Sequence, residues 1–382
     1  MVLFGKNTIR NTGKLLLFMS GICIAVILAE GYLKYAAYRM RPTEWFFSDT
    51  DYNKDRIIYA TNPLEIYDYK KNISVIPDYW ETDAHGFRKN PNHSEDENTG
   101  AVLVIGDAFA YGHGVRHREA WPYLLEQKLR VHNYSLLVHN AAVAATGTDQ
   151  QYVRLHHLVK NLHPRIVIWM ISTNDMVDSN DACLFSKGPD GIYAQMPGFF
   201  NIAYINGLLI EHFPSWFIKT RIGNLLTSTA IDGKDLATYG CTVHVDKQDL
   251  PPIYFQKLTY LLSNTKKILT SQDVNFLVLL APVQWYFDQD SKNTNYEIIL
   301  EHYFRQALYD AGVTFIDLNP EIAQAFSPPL FAAREMQSDE NLAVAGAASD
   351  NLNFQLFNEE RSSYGSWHLN VRGNEVISNI VY

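Results

Sequence analysis

The chain has 382 residues, 47% of them hydrophobic and 13% aromatic, which is enough apolar material for a sizeable core in one large domain or two smaller ones. Such a composition excludes a largely disordered chain. A formal charge of −9 and the lack of a polybasic arm exclude a general basic field, so no nucleic-acid partner is expected.

The first predicted element lies at the N-terminus, where Lys6, Arg10 and Lys14 precede an uncharged run from Leu15 to Ala29, closed by Glu30. The run is shorter than the roughly twenty residues of a span, but Lys14 and Lys34 can snorkel and bracket a sufficient length. Tyr32, Tyr35 and Tyr38 supply the amphipathic rings of a membrane–water boundary. Residues 14–36 are therefore read as a retained transmembrane signal anchor, with 1–13 cytoplasmic and the lipid bilayer as a partner. A cleaved signal peptide is the alternative; it is disfavoured by Ile27, where a small residue is preferred before a cut after Ala29. The basic N-flank favours N-in insertion. The expectation is a single-pass inner (plasma) membrane protein with its large C-terminal domain outside the cytoplasm, periplasmic or extracellular. Cys23 falls in the apolar run, which leaves Cys183 and Cys241 as the disulfide candidate of an oxidising compartment, with two free thiols as the alternative.

Residues 37–100 are rich in Tyr, Asn and Asp, show little periodicity and include the stretch ETDAHGFRKN. They predict an irregular membrane-proximal segment that ends in a charged surface loop over 90–100. From 101 onward short apolar runs alternate with amphipathic stretches, the pattern of a parallel sheet covered by helices on both faces. Strands are predicted over 101–105, 135–138, 165–171, 274–281 and 313–318. Helical faces are marked by Trp121, Leu125 and Leu129, by Tyr152, Leu155, Val159 and Leu162, and by Tyr254, Leu258, Leu261 and Leu262. A further helix over 296–311 is stopped by Gly312. The alternation breaks at about 178–252 and again at 319–364, which are read as insertions.

In a doubly wound sheet, ligands bind at the carboxyl ends of strands. The first predicted strand ends in VLVIGDAFAYGHGV, the second in NAAVAATGTDQQY and the third in IWMISTNDMVDS, and the terminal segment begins with WHLN. In order and spacing these blocks resemble those of the SGNH (GDSL) hydrolase superfamily, over about 101–382, and look like the subgroup with a single N-terminal membrane segment. The resemblance implies an α/β fold with a flavodoxin-like, doubly wound parallel sheet. It also implies an ester-cleaving site in which a histidine deprotonates a serine, an aspartate orients the histidine and an oxyanion hole receives the developing charge. Matched position by position, His368 falls on the base and Asn174 on the oxyanion-hole asparagine, and Gly106 and Asp107 match the first block. Ala108 stands where the family has its nucleophilic serine, and Gly365 where it has the orienting aspartate. Ala145 occupies the place of the second-block glycine, followed by Gly147, and Ser172 replaces the third-block glycine. Asp107, Ala145, Asn174 and Gly147 are thus the oxyanion or binding candidates.

An alanine has no heteroatom with which to attack a carbonyl. Loss of one member of such a triad leaves only about 10³- to 10⁴-fold residual catalysis over water. The expectation is a catalytically impaired pseudoenzyme that binds an envelope glycan or a membrane-protein partner. The alternative is an esterase or O-acyltransferase on a cell-envelope carbohydrate or lipid, rerouted through residues such as Ser363, Ser366, Glu359, Glu360 or Asp350. No cofactor and no metal are expected: His113 and His117, and the adjacent His156 and His157, lack partners at metal-ligand spacing and are read as surface or satisfied histidines.

Overall fold

The computed structural model describes residues 59–93, 101–188, 190, 193–195, 204, 208, 212, 250–282, 294–320, 369 and 371–382, together with 14, 18–21, 24–25 and 28. Two hairpins come first: β1 (Tyr59–Asn62) with β2 (Ile66–Tyr69), and β3 (Ser74–Ile76) with β4 (Trp80–Glu81), both antiparallel. The central elements follow as β5 (Val102–Ile105), α1 (Ala108–Tyr111), α2 (Trp121–Val131), β6 (Val138–Asn140), α3 (Thr148–Leu162), β7 (Ile166–Ile171) and α4 (Asp175–Ala182). A small hairpin of β8 (Phe185–Lys187) and β9 (Tyr193–Gln195) precedes α5 (Leu250–Ser271), β10 (Asn275–Leu280), α6 (Thr294–Ala311), β11 (Thr314–Asp317) and the terminal α7 (Val371–Val381).

Five strands form one parallel sheet in the order β11-β10-β7-β5-β6. Numbered along the chain, that is 2-1-3-4-5, the flavodoxin-like doubly wound order, whose topological switch point lies between β5 and β7. The strands read as unbroken apolar runs because both faces are covered. Successive side chains point to opposite faces: Leu103, Ile105, Val167, Trp169, Ile171, Val278 and Leu280 pack with α3, α5 and α6, while Val102, Val104, Ile168, Met170 and Leu279 pack beneath α2 and α7. Each such Leu, Ile or Val contributes roughly 1.5–3 kcal/mol when taken fully out of water.

Helix α2 starts after Ala120, which has no side chain to cap it; Pro122 suits the first turn. The missing acceptor comes from the other end of the chain. Trp121 N–H donates to Asn374 Oδ1 at 3.0 Å, and Asn374 Nδ2 donates to the Leu369 carbonyl at 3.1 Å. Asn374 is fully buried, so α7 is docked onto the sheet by a cap as well as by Ile377 and Leu369.

The expected strands appear within a residue or so, except the second, which runs Val138–Asn140 rather than over 135–138. Helix α3 begins earlier and α5 extends further back than the apolar faces indicate. The segment expected to be irregular over 37–100 carries two hairpins in its described part, and Ile66, Tyr69 and Phe87 are buried in the two core clusters. They belong to the domain rather than to a tether. Within the predicted insertion over 178–252, α4 and the β8–β9 hairpin are regular. Of the predicted anchor over 14–36, the described positions are helical, with Phe18, Met19, Ile24 and Leu28 exposed. Among the described residues no helix is long and apolar enough to cross a membrane, and the remainder of 14–36 lies outside them.

Candidate functional site

The switch point brings the end of β5 beside the end of β7. Gly106 turns the chain there in close quarters: a Cβ on it would lie 2.7 Å from both the Met170 carbonyl oxygen and the Ala110 Cβ. Asp107 then caps α1, its Oδ1 accepting from Phe109 N–H at 2.9 Å. Ala108 follows, half-buried, as the first helical residue, whose N–H has no intrahelical acceptor. Its methyl group packs against the core beneath α2 and α7.

The end of β7 binds directly to Asp107. Asn174 Nδ2 donates to Asp107 Oδ2 at 3.1 Å and to Asp178 Oδ2 at 3.0 Å. Ser172 Oγ lies 2.8 Å from Asp107 Oδ2 and 2.7 Å from Asn174 Oδ1. Both amide hydrogens of Asn174 are thereby committed to carboxylates, and its oxygen faces a hydroxyl donor. Asp175, next in sequence, accepts from Ser172 N–H at 2.9 Å and from Gln151 Nε2 at 2.9 Å. Burial, with the charge of nearby Asp107, holds the Asp175 carboxyl well above the usual carboxylate range, and burial also pushes Asp107 up against its hydrogen bonds from Asn174 and Ser172. Both shifts favour the neutral form of these buried carboxyls.

The second-block turn reaches the same edge from β6. Ala145 has φ +59, a left-handed conformation that favours glycine, and it stands where the family resemblance places one. Four side chains hold the turn: Tyr67 OH donates to the Ala145 carbonyl, Tyr69 OH accepts from Ala144 N–H at 3.1 Å, Thr146 Oγ1 donates to the Val143 carbonyl at 2.6 Å, and Gln151 Nε2 donates to the Thr146 carbonyl at 2.6 Å. Gly147 begins α3 where α3 meets α4; a Cβ on it would lie 2.1 Å from Ser179 N. Thr148 Oγ1 and Ser179 Oγ are 2.8 Å apart across that contact, so the turn is bonded to the helix that Asn174 precedes.

Asp107, Ala108, Ser172 and Asn174 are thus brought together, with Ala145 and Gly147 on the adjoining loop. His368 and Gly365 lie outside the described residues; Leu369, next to His368, is buried. Cys183 is disulfide-bonded, while Cys241 lies outside the described residues. His117 is buried, with Arg88 Nε donating to its Nδ1 at 3.2 Å. His156 sits 3.3 Å from Thr265 Oγ1, and His157 bonds to Asn161. Among the described residues no group of three or more His, Cys, Asp or Glu is placed to hold a metal ion.

Two sets of residues around the site escape sequence reasoning. Arg88, buried, donates to the carbonyls of Tyr111, Gly112 and Val115, and so fixes the end of the helix that begins at Ala108. Arg154 on α3 pairs with Glu65 at 3.1 Å and Asp68 at 2.6 Å and donates to the Ala141 carbonyl at 2.6 Å. The four residues of β2, Ile66 to Tyr69, bury their two ends rather than alternate positions, so no strand periodicity marked them.

No family model and no curated protein matches the chain. Among solved structures the fold is similar to that of an acetyl xylan esterase, at 13% identity and a TM-score of 0.38 over 74% of this chain and 97% of that one. It is similar also to a lipolytic protein of the G-D-S-L family from Veillonella parvula, at 11% identity and a TM-score of 0.36 over 74% and 95%. A putative lipolytic protein of the same family from Desulfitobacterium hafniense matches at 12% identity and a TM-score of 0.31 over 66% and 99%.

Proposed function

We propose that the protein is a membrane-anchored SGNH hydrolase-like pseudoenzyme, its bulk outside the cytoplasm, that uses the old catalytic cleft to bind an envelope glycan or a membrane-protein partner. The observation that carries this reading is the state of Asn174. Its amide is spent on Asp107 and Asp178, while the neighbouring elbow ends in the methyl of Ala108. An oxyanion hole works because its donors are aimed at the place where charge develops and are free to meet it. Here one donor is occupied by carboxylates, and residue 108 supplies no nucleophile. The anchor is supported by the apolar run from Leu15 to Ala29 and by the exposed Phe18, Met19, Ile24 and Leu28 on its helical positions.

The reading is tested by restoring what was lost. Ala108→Ser with Gly365→Asp in the full-length protein is expected to create aryl acetate hydrolysis that His368→Ala abolishes. Adding Asp178→Ala, which releases an Asn174 hydrogen, is expected to raise that activity about tenfold or more, since one oxyanion donor is worth roughly 10²–10³ in rate. If the doubly restored protein is no faster than wild type, the site is not a retained hydrolase scaffold. Hydrolysis by the unaltered chain would favour an active esterase or O-acyltransferase.

A further inference from the structure

We propose that the β1–β2 hairpin is a positioning strap for the site, acting through Tyr67 on the conformation of Ala145; this rests on reading the carboxyl edge of the sheet as the binding site. The hairpin is outside the blocks that carry the family resemblance, yet its polar contacts converge on the stretch 141–154. Tyr67 OH donates to the Ala145 carbonyl, Tyr69 OH receives Ala144 N–H at 3.1 Å, and Gln150 Nε2 donates to the Glu65 carbonyl at 2.8 Å. Arg154, buried, ties Glu65 and Asp68 to the Ala141 carbonyl.

Two backbone outliers meet across this contact. Ala145 has φ +59 and Ile66 has φ +77. The second is a β-branched residue in a region where such residues are rare, at the end of the three-residue hairpin loop, where glycine is the usual choice. Strained conformations of this kind persist only where the surroundings over-determine them, and they cluster at binding and active sites. Two of the four side chains that hold the Ala145 turn, Tyr67 and Tyr69, are supplied by the hairpin. Burial, with the charge of Asp178 as a lesser cause, pushes the Tyr67 phenol up, so it stays a neutral hydrogen-bond donor to the Ala145 carbonyl. The strap therefore sets the shape of the side of the cleft that carries Ala145, and Tyr67 is the group that transmits it.

The test uses the full-length protein in detergent. Tyr67→Phe keeps the ring and removes the donor. Hydrogen exchange of the amides at Ala144, Ala145 and Thr146 is expected to rise about tenfold, while Val104 and Ile168 in the sheet stay unchanged. Adding Ala145→Gly, for which the left-handed conformation is unstrained, is expected to restore most of the protection. In the Ala108→Ser/Gly365→Asp background, Tyr67→Phe is expected to lower aryl acetate hydrolysis severalfold through kcat. Unchanged exchange at the turn in Tyr67→Phe would overturn the proposal. So would faster exchange with undiminished hydrolysis in the restored background, because the turn would then not shape the site. Should that background show no hydrolysis at all, the hydrolase-scaffold reading fails on its own, and the coupling of strap to site falls with it, whatever the exchange shows.

Discussion

Asn174 and Asp178 are four residues apart, the spacing at which side chains meet on one face of a helix. At 3.0 Å the contact satisfies an amide hydrogen of Asn174 with a carboxylate one helical turn on. Ala145 shows the opposite economy. A left-handed alanine costs roughly 1–2 kcal/mol, so Ala145→Gly alone is expected to raise the unfolding free energy by about 1 kcal/mol, read as a higher urea midpoint at unchanged m-value. A lower midpoint would mean that the methyl has packing value which outweighs the strain. Gly147→Ala is expected to go the other way, because a Cβ 2.1 Å from Ser179 N forces α3 and α4 apart; overpacking of this kind costs about 1–3 kcal/mol.

At the scale of elements, the β1–β2 hairpin holds the turn at 144–145 from outside the sheet, and the terminal helix caps α2. Arg154 bridges β2 and α3 in a buried setting, where burial pushes the Glu65 carboxyl up to about 7 against the pull of Arg154. Arg154→Met removes the guanidinium and leaves Glu65 and Asp68 facing each other; breaking such a buried pair typically costs about 3–5 kcal/mol. The companion Glu65→Gln is expected to be milder, because it also removes a buried charge. A loss for Arg154→Met no larger than that for Glu65→Gln in thermal unfolding would contradict this, because it would assign the whole effect to the Arg154–Glu65 contact. The strands and blocks on either side were readable from sequence because a parallel strand buried on both faces is a continuous apolar run, and the residues after it fall at the carboxyl edge by topology. The second strand was harder. Its end is His139 and Asn140, polar residues that are nonetheless buried, so the apolar run ends before the strand does. The hairpins were not readable, since β2 has only four residues with no alternation and their value lies in partners about 75 to 90 positions away, such as Ala144, Ala145 and Arg154. Likewise, Asp178 reads as an ordinary polar residue until α4 brings it to Asn174.

The molecule as a whole buries titratable histidines. His113, His117, His139 and His156 are all held down to about 4, chiefly by burial. A histidine that is neutral when folded but ordinary when unfolded gives the unfolded state more protons below pH 6.5, so its share of stability is full above that pH and is lost as the pH falls toward 4. Glu65 has the opposite sign: its raised carboxyl favours the folded state at low pH, a contribution lost as the pH rises through about 7. His139, with both ring nitrogens lacking a partner among the described residues and its ring packed near His93 and Phe87, isolates one such contribution. His139→Phe is expected to shrink the loss of unfolding free energy between pH 7 and pH 5 by about 2 kcal/mol. An unaltered pH dependence would mean that His139 is protonated in the folded protein.

The central proposal is that an ester-hydrolase scaffold has been kept while its chemistry has been lost, and the most direct test is turnover by the unaltered full-length chain. With 4-nitrophenyl acetate, release of nitrophenol is predicted to match buffer, without a burst, and to be the same for wild type and His368→Ala. Turnover above buffer that disappears on His368→Ala would contradict the account, because it would require a nucleophile other than residue 108.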